Sequence, residues 1–67
     1  MEPAILTGQE LYDKIELLKK VKTDKANWLT YFVDEINSEK WVEEYPHSEM
    51  HGGGPPQLRK IGKFPWD

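Results

Sequence analysis

The chain has 67 residues, twelve acidic against nine basic, a net charge of −3 and no cysteine. That length allows one domain over residues 1–67, with a thin core, because so short a chain buries only about 60% of the surface its unfolded form exposes. The missing cysteines exclude disulfides and thiolate sites and suit a reducing cytoplasm, where the protein is expected to reside.

The first strong pattern is a helix. In "TGQE" the Thr7 hydroxyl and the Glu10 carboxylate sit at the spacing of a capping box. Leu11, Ile15 and Leu18 then recur at i, i+4 and i+7, Leu17 widens the stripe, and Lys19, Lys20 and Lys22 gather where cations suit the end of a helix dipole. These features predict a helix from Gly8 to Val21, with Ile5 or Leu6 as a hydrophobic staple before its cap.

"KTDKAN" reads as a turn, and "WLTYFV" (Trp28 to Val33) as a strand rich in aromatic and β-branched residues. Both its faces are apolar, which predicts a central strand with the helix over one face. "DEINSEK" is a short loop, so "KWVEEYP" forms an antiparallel hairpin with that strand. On the second strand Trp41, Glu43 and Tyr45 share one face and Val42 and Glu44 the other, and Pro46, which cannot donate to a ladder, marks the strand end or an edge.

A long connection, "HSEMHGGGPP", leads to a third strand, "QLRKIG", in which Leu58 and Ile61 are three apart and break strict alternation. A bulge or a short strand would account for that spacing. Phe64 and Trp66 make the ending "KFPWD" heavily apolar, so it is expected to dock. The expected architecture is α+β: one N-terminal helix packed on a small three-stranded antiparallel sheet.

Charge is uneven along the chain. Asp34, Glu35, Glu39, Glu43, Glu44 and Glu49 face only Lys40 within residues 34–49. An acidic middle repels nucleic acid and attracts basic proteins, so a nucleic-acid partner is not expected. "MEPAIL" has no basic n-region, and no run approaches the roughly 18 apolar residues of a membrane span, so neither a leader nor a membrane partner is expected.

The loop invites two chemical readings. His47, Glu49 and His51 could approach a metal, but H-S-E-M-H is not the H-E-x-x-H of zinc proteases, and no fourth ligand is evident. Gly52, Gly53 and Gly54 could form an anion nest, but no Lys-Ser or Lys-Thr pair follows as in a nucleotide-binding loop. As a plain connection, the glycines let the backbone pass close to its neighbours and Pro55 and Pro56 stiffen the exit. Catalysis has little support: Ser48 beside His47 is not a triad, and Glu43 and Glu44 point to opposite faces. No enzymatic activity and no cofactor are expected. The aromatics are mostly core material by default. The alternative is that Trp41 and Tyr45, with Glu43 between them, form a protein-binding row.

The string from Trp41 through Tyr45, Pro46, Ser48, Glu49, His51, Gly52, Gly53, Gly54, Pro55 and Pro56 to Leu58, preceded by "NWLTYFV", resembles bacterial immunity protein family twenty-seven. The resemblance covers about half the chain, Trp28 to Ile61. It departs from the family before the tryptophan strand, where "INSEK" replaces an aspartate-glycine turn.

The resemblance implies a small cytoplasmic protein of a polymorphic toxin system that binds a cognate toxin, often a nuclease, and blocks it. The expected contact residues are Asp34, Glu35, Glu39, Trp41, Glu43, Glu44, Tyr45, His47, Glu49 and His51. A basic toxin would be steered to such an acidic surface. Two other readings stay open: a metal- or anion-binding protein using the His/Gly loop, and an accessory protein that forms a homo-oligomer through a sheet edge.

Overall fold

The structure is a computed structural model and describes residues 4–45 and 54–67. It contains β1 (Ile5–Leu6), α1 (Gly8–Ile15), β2 (Lys19–Asp24), β3 (Leu29–Asp34), β4 (Glu39–Glu44) and β5 (Gln57–Ile61). The strands form one antiparallel sheet in the order β1-β5-β4-β3-β2. The chain from β2 to β5 is a meander. β1 returns to the β5 edge, and α1 carries the chain across the sheet from one edge to the other.

The expected three-stranded sheet is therefore corrected to five strands, and the described residues are mostly β with one short helix among them. Two strands were hidden for different reasons. Ile5 and Leu6 pair with Arg59 and Leu58 instead of stapling the helix, a pairing too short and too distant in sequence to leave a local signature. The helix ends at Ile15, six residues before its predicted end. Its last turn tightens: the amides of Leu17 and Leu18 donate to the carbonyls of Lys14 and Ile15, three residues back. The lysines assigned to the helix end form β2 instead. That strand is exposed along nearly its whole length, with Val21 and Thr23 as its β-branched residues and lysines guarding the open edge.

Nor does the capping box form. Thr7 is the N-cap with extended backbone, but its side chain makes no capping hydrogen bond. Gly8 follows at φ +60°, a left-handed conformation that suits glycine.

Apolar residues fill both faces of the sheet. Leu11, buried completely, presses with Ile15 and Leu18 onto Leu6, Phe32, Trp41 and Leu58. On the opposite face Tyr31, Val42 and Phe64 pack with Leu29, Val33 and Ile61. The spacing of Leu58 and Ile61 now has a cause without a bulge: they belong to opposite faces, in unbroken register with β4. The tail docks as expected, with Phe64 buried against the Tyr31 ring and stacked on Trp66 at 4.7 Å between centroids. The Asp67 carboxylate accepts hydrogen bonds from the Phe64 amide and Lys40 Nζ, both at 2.7 Å, and closes the turn.

Two hairpin turns share one design. Asp24-Lys25-Ala26-Asn27-Trp28 joins β2 to β3, and Asp34-Glu35-Ile36-Asn37-Ser38 joins β3 to β4. In each, the aspartate accepts from the amide and the side chain of the asparagine three residues on. In each, the following residue has a left-handed backbone, Trp28 at φ 57° and Ser38 at φ 59°.

Candidate functional site

The acidic residues of the middle segment do not form one surface. Asp34 and Glu39 sit at one end of the β3–β4 ladder and Glu43 toward the other, about 13 Å apart along β4 at the usual strand rise. Glu44 points to the opposite face, as alternation requires. Glu35 lies exposed in the second turn, 3.8 Å from Lys19.

Most of these carboxylates are held by the protein itself. Asp34 accepts from the amides of Asn37 and Ile36 and from the Asn37 side chain, which together with Lys14 hold its pKa below the ordinary value. Lys60 donates to Glu39 at 2.9 Å, and Lys14 lies 3.8 Å from it, with the same downward effect. Arg59 grips both oxygens of Glu44 at 3.1 Å, with Gln57 adding a bond at 2.6 Å, and lowers its pKa. The acidic middle of the sequence is thus largely neutralised by lysines and arginine brought from other elements.

Glu43 differs. It is half-buried on the helix side of the sheet, across from Thr30 on one side and Leu58 on the other. It has no hydrogen bond or ion pair among the described residues. Burial pushes its carboxyl above the ordinary value.

Trp41 is wholly buried beneath α1, with Lys14 Nζ 5.3 Å from its ring centroid, so it is a core residue and not part of the outer surface. Tyr45, on the same face, is half-buried and meets Trp28 edge to face, with centroids 6.0 Å apart and planes at 85°. Trp28 is 66% exposed. The expected strand begins at Trp28, but Trp28 ends the turn and β3 begins at Leu29. The signal in the sequence was the repeated D-x-x-N-x pattern, which places Trp28 in register with Ser38. His47, Glu49 and His51 lie outside the described residues. Among the described residues no cluster of three His, Asp or Glu side chains could hold a metal ion.

The opposite face carries an open hollow of ≈ 640 Å³ beside Lys22, Lys25, Tyr31 and Trp66, with Lys22 Nζ 5.1 Å from the Trp66 ring centroid. Its chemistry is basic and aromatic, unlike that around Glu43. No helix among the described residues is long and apolar enough to cross a membrane.

A family model described as Immunity protein 27 matches residues 11–62, from the middle of α1 to just past β5. No curated protein and no solved structure matches the chain.

Proposed function

This chain belongs to the Immunity protein 27 family, and from that premise we propose that it binds a cognate bacterial toxin in the cytoplasm and blocks it without catalysis of its own. The carrying observation is that the match takes in nearly the whole fold, from the helix that covers the core to the last strand of the meander.

The toxin is a basic protein, such as a nuclease domain of a polymorphic toxin system, and the immunity protein meets it with carboxylates. Glu43 and Glu35 present charge directly, and Tyr45 supplies contact area beside Glu43. His47, Glu49 and His51 follow Tyr45 in the chain and extend the contact. Asp34, Glu39 and Glu44, each tied to its own cation or amides, shape the potential over a longer range, and Trp41 supports the surface from the core. Such charges act mainly on association rate, which falls as salt rises.

The test couples protection to binding. The wild-type chain, used as bait in extracts of its source cell, retains a basic toxin chain, and its co-production lets a host survive that toxin. Reversal of Glu35 and Glu43, the two carboxylates of residues 34–45 that accept no hydrogen bond among the described residues, as Glu35→Lys with Glu43→Lys, slows association by about tenfold or more at low salt. Failure of the wild-type chain both to retain a toxin and to protect would overturn the immunity reading. Unchanged association of the double variant would overturn the electrostatic placement alone.

A further inference from the structure

We propose that Trp28, Glu43 and Tyr45 form a receptor for one arginine side chain of the toxin, an inference that rests on the immunity reading and names the chemistry of its contact. Trp28 and Tyr45 flank the end of the β3–β4 ladder, with rings 6.0 Å apart and nearly perpendicular. Glu43 lies two residues before Tyr45 on the same face, half-buried.

Three observations converge on a cation. First, Glu43 stands apart from its neighbours: Asp34, Glu39, Glu44 and Asp67 each accept two or more hydrogen bonds or pair with a cation. Glu43 does neither among the described residues, although a partly desolvated carboxylate gains from a partner. Its raised pKa reflects that desolvation. Second, Trp28 is in the wrong place for a tryptophan on structural grounds. The turn demands a left-handed residue at this position, as Ser38 shows at the equivalent one. Bulky side chains are rare there, while glycine and asparagine adopt it readily. Its side chain is not repaid by core burial, since it remains 66% exposed. Strained, exposed aromatics of this kind mark contact sites. Third, the combination has a specific complement. A guanidinium can lie on an aromatic face and donate a two-pronged hydrogen bond to a carboxylate, whereas a lysine ammonium offers only a point charge.

The test uses the intact protein and two readouts. In the first, N-acetylarginine methylamide is titrated while the indole N–H resonances are followed by NMR. The expected result is a saturable shift of the Trp28 signal, weakened about tenfold or more by Glu43→Gln and by replacing the probe with its uncharged citrulline isostere. Equal response to citrulline, indifference to Glu43→Gln, or a shift confined to Trp66 would overturn the site. An equal response to the lysine analogue would overturn the arginine assignment.

In the second readout, Trp28→Asn, chosen because asparagine tolerates the left-handed backbone, and Glu43→Gln each weaken toxin binding by about tenfold or more. If the wild-type chain binds and neutralises a toxin while both variants bind it within about twofold, the receptor is refuted and the immunity function stands. If no toxin is bound or neutralised, the immunity reading fails, and the arginine titration still decides whether the receptor exists.

Discussion

Glu43 and its neighbouring carboxylates respond to pH in opposite senses. The pKa values of Asp34, Glu39 and Glu44 are depressed by their partners in the folded state. Each stabilises the fold above the ordinary carboxylate pKa, and that contribution is lost as pH falls through the depressed folded value. Glu43 has a raised folded pKa, so it costs nothing when both states are protonated and becomes a penalty as pH rises past the unfolded value. Glu43→Gln is therefore expected to raise the melting temperature at pH 7 and to leave it nearly unchanged at pH 3. Thermal melts of the two proteins across that range check the sign, and a variant that melts lower at pH 7 would show that Glu43 has a stabilising partner. A sequence can show that these glutamates exist and alternate. It cannot show which acquire a cation, because Arg59 and Lys60 reach Glu44 and Glu39 across the ladder from residues at least 15 positions away.

At the scale of the element, α1 and its connections were only partly legible. The i, i+4 stripe of Leu11 and Ile15 correctly marked the buried side of the helix. The stripe continued through Leu17 and Leu18 as a pattern, but Leu17 is 76% exposed and the chain has already left the helix there. Past the helix, residues 19–24 pair along the open edge of β3 and satisfy its backbone groups, with a register shift at Val21 between Lys20 and Lys22. Two glycines separate backbone demand from space. A Cβ at either Gly8 or Gly62 would meet nothing within 4 Å, but only Gly8 has a positive φ. Gly8→Ala is expected to destabilise by about 1 kcal/mol, the cost of a left-handed alanine at the helix start. Gly62→Ala should be neutral or stabilise by up to about 1 kcal/mol by restricting the unfolded chain. Urea titrations of both variants decide this, and equal effects would refute the assignment of strain to Gly8.

The whole molecule stands on a sheet with apolar residues on both faces, one covered by a short helix and the other by the docked tail at Phe64 and Trp66. A chain of this size has a total stability of roughly 3–10 kcal/mol. Leu11 is the fully buried helix residue that touches the Trp41 and Leu58 layer, and Leu11→Ala should cost about 2–5 kcal/mol, a large share of that total. Circular dichroism against denaturant measures this, and a loss under about 1 kcal/mol would mean that the helix does not seal the core. By itself the sequence determined the features that depend on near neighbours. These are the β3–β4 hairpin, strand β5, the buried stripe of the helix and the docking of Phe64, because alternation, turn residues and apolar spacing act within a few positions. It also carried the resemblance that the family match bears out. Only the tertiary structure decided the five-stranded sheet, the sorting of acids into those paired with a cation and those not, and the meeting of Trp28 with Tyr45. Each of these depends on which backbone edge or side chain arrives from far along the chain, and no local pattern encodes that.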